Sequence, residues 1–360
     1  MSKLLGGASL LFEGKSGDTN IYRISLSSVE NRYFMLSNPS ARRLLAYPEV
    51  VGFDCYRALL DATRDGLKFL LPTAPAGGMD IFTILRGGLN YPLEEAAFEC
   101  GIPVREMHFV SCERVIEDHK ILGLEVRYQK ITPSPERVVA IGDILATGDT
   151  LRLCFEHLIN EFYRCGGSLR RFIFFTIGGT RAIDLFENLT AKVKALFPGF
   201  EGFDCCFFEG MFTVYTDNGA SGINTPNIDF GWNGGIVTPE FRRYVMEHPD
   251  ALMEKCIIYD GGARRYELPL HFAEVLDYWM GIFERADKID AHAMLCEKLG
   301  YDAPLSYEDW LVATHLGGLG DLHGLWSAEM ALLGRGFDLK ELASRRIESM
   351  KQTQKIYETH

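Results

Sequence analysis

The sequence has no long apolar run and no excess of positive charge. No stretch approaches the roughly 20 consecutive apolar residues of a membrane span, and the first residues lack the basic segment and cleavage site of a signal peptide. The 360 residues carry 37 basic and 49 acidic side chains, a net charge of -12, which argues against broad nucleic-acid binding driven by counterion release. We therefore expect a protein without membrane or nucleic-acid partners, although a local basic pocket for an anion is compatible with this charge.

Paired cysteine motifs and metal-ligand motifs are also missing. The nine cysteines include no Cys-x-x-Cys pair, and Cys205 and Cys206 are adjacent, a spacing that rarely forms a disulfide. This pattern predicts reduced thiols in a cytoplasmic protein. His315 and His323 flank a glycine-rich stretch without a cysteine or second acid at ligand spacing, so we interpret this stretch as a loop.

Short apolar runs alternate with helical patterns through the middle of the chain. The runs predict strands over residues 80–85, 104–110, 137–141, 171–177, 203–208 and 211–215, and helices over residues 53–71, 91–100, 151–162 and 180–196. Such alternation predicts an α/β fold with a mainly parallel sheet and helices on both faces. In these folds ligands bind at the carboxyl ends of the strands.

Two polar segments and the C-terminal region depart from this alternation. Residues 111–135 are charged and longer than a usual loop, so they are expected to be either a functional loop or a disordered segment. Residues 218–239 are rich in Gly, Asn, Thr and Pro and are expected to be a long ordered loop or a cover over a site. Helical patterns at 268–285, 287–299, 307–316 and 339–358 predict a helical extension over residues 259–360, after a main domain over 1–258. We place the boundary near Asp260.

The segment with the clearest chemistry is residues 138–150. A buried strand leads to Asp143, then to a turn of small and hydroxylated residues, then to a helix. Small residues let main-chain N–H groups form a concave anion site, and the helix start adds its positive dipole end. The predicted phosphate-binding residues are Ala146, Thr147, Gly148, Asp149 and Thr150. The alternative is an ordinary strand-to-helix turn.

A second turn, which also follows a predicted buried strand, contains an arginine and two glycines. Arg86 offers a charge-assisted grip on phosphate oxygens, and Gly87 and Gly88 allow the backbone to approach an anion closely. The alternative is a glycine turn with a surface arginine.

These segments resemble the type I phosphoribosyltransferases, and within them most closely the uracil enzymes. Residues 144–149 (Ile-Leu-Ala-Thr-Gly-Asp) are similar to Met-Leu-Ala-Thr-Gly-Gly, and residues 84–89 to Ile-Leu-Arg-Ala-Gly-Leu. Residues 128–133 and 235–239 resemble that family's Tyr-x-Lys-Leu-Pro and Gly-Tyr-Ile-Val-Pro segments, in the family's order. The resemblance covers about residues 50–240.

The resemblance implies the type I phosphoribosyltransferase fold and a reaction. Ribose 5-phosphate would move from phosphoribosyl diphosphate to a small aromatic, nucleobase-like acceptor, with uracil among the candidates, and Mg²⁺ and a homodimer would be involved. It assigns the ribose hydroxyls to Asp143 as catalytic residue, the 5-phosphate to residues 146–150, and the acceptor to Ile236 and Val237. It assigns the diphosphate to Arg86, Gly87, Gly88 and Lys130.

Three departures from the family pattern keep alternatives open. Gly142 stands where an acid is usual, Asp149 stands where glycine is common, and Pro239 is followed by Glu240 in place of a glycine-rich run. Besides an active transferase, we consider a non-catalytic ligand-binding or regulatory protein on the same fold. A third alternative is an enzyme that acts on another sugar phosphate.

Overall fold

A single large sheet organises the molecule. The computed structural model describes residues 5–27, 29–117, 120–215, 219–223, 229–254, 263–301 and 304–358. The strands in this part are β1 (Ser9–Ser16), β2 (Thr19–Ser25), β3 (Arg32–Ser37), β4 (Met79–Ile84), β5 (Val104–Glu117), β6 (Lys120–Lys130), β7 (Arg137–Gly142), β8 (Leu169–Gly179), β9 (Phe203–Tyr215) and β10 (Asp229–Val237).

The strand order is β1-β2-β3-β9-β8-β7-β4-β5-β6, and β10 pairs with the second half of β9. The six strands from β3 to β5 in this order are parallel, whereas β1, β2, β6 and β10 pair in antiparallel fashion. Every residue of β4 and β7 is buried, and most of these residues are apolar, as is typical of a parallel sheet covered on both faces.

Helices connect and cover the strands. They are α1 (Pro39–Ala46), α2 (Phe53–Leu70), α3 (Leu93–Glu99), α4 (Asp149–Arg164), α5 (Arg181–Leu196), α6 (Pro239–Glu247), α7 (Pro249–Leu252), α8 (Leu268–Arg285), α9 (Ala291–Leu299), α10 (Tyr307–Thr314), α11 (His323–Arg335) and α12 (Leu339–Glu358).

The helices lie on both faces of the sheet, as adjacent residues of β8 show. Phe174 packs against Phe155 of α4 and Phe186 of α5. Phe175 points the other way, where a Cβ at Gly66 of α2 would lie 3.0 Å from its ring. The predicted α/β fold, with a mainly parallel sheet and a C-terminal helical region, is confirmed.

The prediction of two long loops is wrong in part. Most of residues 111–135 form the β5–β6 hairpin, and residues 229–237 form β10 along β9. A hairpin at the sheet edge carries charged side chains on its exposed surface, so its sequence looks like that of a loop. The strands expected at 203–208 and 211–215 are one strand with a bulge at Glu209, where φ is +59°.

The C-terminal helices share the core of the main domain. The guanidinium of Arg265 donates to the carbonyls of Leu44, Tyr47 and Val50, and α9 and α10 pack on β10. Helix α11 was not predicted. The expected boundary at Asp260 lies outside the described residues, and the two-domain division stays a prediction. Within the described part, no helix combines the length and apolarity that crossing a bilayer requires.

Candidate functional site

The two predicted anion-binding turns follow neighbouring parallel strands. β4 and β7 are paired with Phe82 opposite Ile141, so their carboxyl ends lie side by side. After β4 comes a cis Leu85–Arg86 peptide and a 3₁₀ turn over Gly87–Asn90. A Cβ at Gly87 would lie 3.3 Å from Oδ1 of Asp143. The structure therefore brings the Arg86-Gly87-Gly88 turn against the carboxylate that ends β7.

The turn after Asp143 is anchored to the next strand. The N–H of Leu145 donates to the carbonyl of Ile177 at 3.1 Å, and the N–H of Gly179 donates to the carbonyl of Leu145 at 2.9 Å. Gly148 ends the turn with φ +81°, a left-handed conformation that glycine adopts at low cost, and α4 begins at the next residue. The turn thus has a fixed position relative to β8.

The N–H groups of this turn are available to a ligand. Ala146, Thr147 and Gly148 are partly exposed and Asp149 is exposed. The N–H groups of these four residues have no acceptor among the described residues, and no described side chain caps α4. Unpaired donors at a helix start, together with its dipole, favour an anion. The phosphate site and the ordinary strand-to-helix turn both stay predictions, and these donors favour the phosphate site.

Asp143 is held between these two turns. Its main-chain N–H donates to the carbonyl of Phe175 at 3.2 Å, and its Oδ1 accepts from the N–H of Ile144 at 2.8 Å. The side chain is partly buried. Its carboxylate is therefore oriented by the backbone and can accept hydrogen bonds from hydroxyl groups between the turns.

Arg86 extends into solvent toward the C-terminal helices. Its side chain is 82% exposed, and its Nη2 lies 3.7 Å from Oε1 of Glu267, directly before α8. The residue pattern around Glu267 does not predict this contact with the turn. A long, exposed pair of this kind contributes little energy, so the guanidinium can turn toward an anion.

Tyr91 explains the missing second acid, and sequence reasoning did not find it. A Cβ at Gly142 would lie 2.4 Å from Cβ of Tyr91, so no side chain fits at this position. Tyr91 is buried, and its hydroxyl oxygen accepts from the N–H of Ile177 at 3.4 Å. Its ring thus fills the space in which an acid would stand, next to Asp143.

Lys130 does not face the two turns. Its ammonium donates to Glu106 at 3.1 Å and to the carbonyl of Met107 at 3.0 Å, both on β5. The structure thus pairs this cation along the edge of the sheet and does not bring it to Arg86.

The predicted acceptor residues Ile236 and Val237 are fully buried in β10, opposite Met211 and Gly210 of β9. A Cβ at Gly235 would lie 2.4 Å from the carbonyl oxygen of Met211, so the strands approach closely. The apolar side chains of Ile236 and Val237 belong to the core, and only their main-chain groups are suited to an acceptor.

No cluster of three His, Cys, Asp or Glu side chains suited to a metal ion occurs in the part of the chain that is described. His315 contacts the carbonyl of Ala8 at 3.1 Å, whereas His323 pairs with Asp321 at 2.7 Å and stacks on Tyr307. These contacts hold the glycine-rich loop.

Comparisons with known proteins give partial overlaps only. No protein-family model matches the chain, and no curated protein matches it. A structure of a protein from Aquifex aeolicus is 16% identical, with a TM-score of 0.33 over 49% of this chain and 86% of that one. A hypoxanthine phosphoribosyltransferase from Staphylococcus aureus is 15% identical (TM-score 0.28; 35% and 66% covered), and a purine phosphoribosyltransferase from Pyrococcus horikoshii is 17% identical (0.25; 35% and 72%). Overlaps this low assign no activity to this chain.

Proposed function

We propose that the protein is a phosphoribosyltransferase. Phosphoribosyl diphosphate would bind with its 5-phosphate on the turn of residues 146–150 and its diphosphate at the Arg86-Gly87-Gly88 turn. Asp143 would accept hydrogen bonds from the ribose hydroxyls between them. An aromatic ring nitrogen of the acceptor would form a bond to C1 of the ribose as the bond from C1 to diphosphate breaks.

One observation carries this proposal: two turns suited to anions flank one oriented carboxylate at adjacent strand ends, and the N–H groups of one turn find no acceptor among the residues that the structure describes. A molecule with phosphoryl groups on both sides of a ribose suits this order of two anion sites around one carboxylate. The protein's contribution would be to position the two reactants and stabilise the departing diphosphate.

The donor set at the site fits Mg²⁺ bound mainly through substrate. Asp143 is the acid between the turns, and Gly142 contributes none because Tyr91 excludes a side chain. Mg²⁺ keeps several waters and binds through one or two carboxylates plus phosphates. Asp143 would hold the ion, which when bound would neutralise charge on the diphosphate.

A non-catalytic ligand-binding protein is the second candidate. It is favoured by the steric exclusion of an acid at Gly142 and by the pairing of Lys130 with Glu106, which leave fewer charged groups for the reaction. Both candidates use the same donor site, so binding alone does not separate them.

The separating experiment measures binding and turnover together. Calorimetry with phosphoribosyl diphosphate and Mg²⁺ gives the affinity, and diphosphate release is followed with uracil, hypoxanthine and adenine as acceptors. Release with one base supports the transferase and identifies its acceptor. Binding without release supports the regulatory protein. Absence of binding contradicts both and leaves an enzyme for another sugar phosphate.

The proposal also covers the cellular location and the oligomeric state of the protein. The nine cysteines include no Cys-x-x-Cys pair, and on this sequence pattern we propose a cytoplasmic location, to be tested by cell fractionation. We also propose a homodimer, to be tested by sedimentation of the purified chain.

A further inference from the structure

Two cysteines from separate elements meet beside the candidate site. Cys112 lies on β5 and Cys154 on α4, and their Sγ atoms are 3.2 Å apart. Their separation in the sequence does not predict this contact.

A surface depression gives access to this pair. It has a volume of about 230 Å³ and is lined by both cysteines together with Val110, Val126 and His157. Cys112 is half-buried and Cys154 is buried. A small reagent that enters the depression therefore meets Cys112 first.

The pair joins two elements that serve the proposed ligand site. Cys112 lies two residues beyond Val110, which is paired with Ile84 at the end of β4. Cys154 lies in the second turn of α4, whose start follows the phosphate-binding turn. A covalent link here would hold the β5–β6 hairpin to the helix behind that turn.

We propose that Cys112 and Cys154 form a reversible disulfide when a hydroperoxide oxidises the protein. The Cys112 thiolate attacks the peroxide O–O bond, which gives a sulfenic acid and releases water or an alcohol. The Cys154 sulfur then bonds to the Cys112 sulfur and displaces the hydroxyl as water. The two thiols lose two electrons and two protons, and the peroxide takes them up.

The protonation of the Cys154 thiol agrees with this order of events. The hydrogen bond with Cys112 and burial both raise the pKa of the Cys154 thiol. Cys154 therefore stays protonated, and the first attack on the peroxide falls to Cys112, the more accessible of the two sulfurs.

The test is a peptide map of the full chain after limited treatment with hydrogen peroxide. We expect a linked Cys112–Cys154 peptide that dithiothreitol cleaves, and its complete loss in Cys112→Ser and Cys154→Ser. The exposed Cys165 provides the matched control, because Cys165→Ser should keep the link. In Cys154→Ser, dimedone should label Cys112. Unlinked Cys112 and Cys154 in a sample whose Cys165 is oxidised would overturn the proposal.

The effect of the link on ligand binding rests on the proposed function, whereas the link itself does not. We expect oxidation to weaken the binding of phosphoribosyl diphosphate and reduction to restore it. If the link forms and the reduced protein binds no donor, the proposed function fails and the disulfide site stands. Equal binding by both forms contradicts a regulatory role of the link.

Discussion

At the scale of single residues, the space left by neighbouring side chains determines which residue types can stand at the strand ends of the candidate site. Gly142 ends β7 against Tyr91, and Gly87 brings its backbone against Asp143. The contact at Gly142 requires a residue without a side chain, whereas the contact at Gly87 is tight but less restrictive. The contact at Gly142 explains why one acid, and not two, stands between the anion-binding turns.

The contact with Tyr91 gives a stability prediction. Gly142→Ala should lower the free energy of unfolding by at least ~1–3 kcal/mol, because its Cβ would lie 2.4 Å from Cβ of Tyr91 and overpacking strains the core. Gly199→Ala is the control, since that position is exposed and a Cβ there meets nothing within 4 Å. Urea unfolding measures both variants, and equal stabilities would contradict the steric account.

The assigned charges give a binding prediction. Asp143→Asn and Arg86→Ala should each remove a charge-assisted hydrogen bond worth ~1.5–3 kcal/mol and so weaken binding of phosphoribosyl diphosphate by roughly ten- to hundredfold. Arg170→Ala serves as the control, because Arg170 is paired with Glu201 near the amino end of β8. Calorimetric affinities for Asp143→Asn and Arg86→Ala that match this control would show that the site is assigned to the wrong residues.

At the scale of elements, Glu209 ties together three strands. At the bulge of β9, its carboxylate accepts from the N–H of Asn38 at 2.7 Å, from Ser37 at 2.9 Å and from Thr238 at 2.6 Å. Ser37 is the last residue of β3, Asn38 follows it, and Thr238 follows β10. Burial raises the pKa of Glu209 from 4.5 to about 7.

This pKa predicts how stability depends on pH. Between pH 4.5 and about 7 the folded protein holds a proton that the unfolded chain has lost, so stability falls as the pH rises through this window. Glu209→Gln should flatten that slope, whereas Glu201→Gln on the surface should leave it unchanged. Urea unfolding across the window measures the slopes. An unchanged slope in Glu209→Gln would contradict the raised pKa.

The strands in the middle of the sheet could be predicted from the sequence, because their burial selects apolar residues. β4, β7 and β8 were predictable because parallel strands covered on both faces are mostly apolar. The charged β5–β6 hairpin and the glycine-rich β10 could not be predicted, because strands at the edge of a sheet need no regular pattern of apolar residues. The turns of Asp143 and Arg86 were also predictable, since their residue types act locally. Tyr91 was not, because its role depends on a contact distant in sequence.

At the scale of the whole molecule, buried ion pairs fix the C-terminal helices to the main domain. Arg346 of α12 donates to Glu254 at 2.6 Å and to Glu49 at 2.8 Å, and Glu254 is fully buried. Trp279 of α8 donates to the same carboxylate. Burial of these charges is tolerated because each has its partner.

The pairing predicts the effect of one substitution. Arg346→Ala should destabilise the protein by ~3–5 kcal/mol, because it leaves the Glu254 carboxylate buried without its main partner. Arg345→Ala, at the neighbouring exposed position, should change the stability by less than about 0.5 kcal/mol. Thermal and urea unfolding measure the difference. Equal effects of the two variants would show that the C-terminal helices do not depend on this contact.

The central claim is that main-chain N–H groups of the turn after β7 bind a sugar phosphate. The most direct measurement is an amide ¹⁵N–¹H titration of the labelled protein with ribose 5-phosphate. We predict that the amide signals of Ala146, Thr147, Gly148 and Asp149 shift together and saturate with one affinity. Shifts confined to other parts of the chain, or none at millimolar sugar phosphate, would contradict the claim.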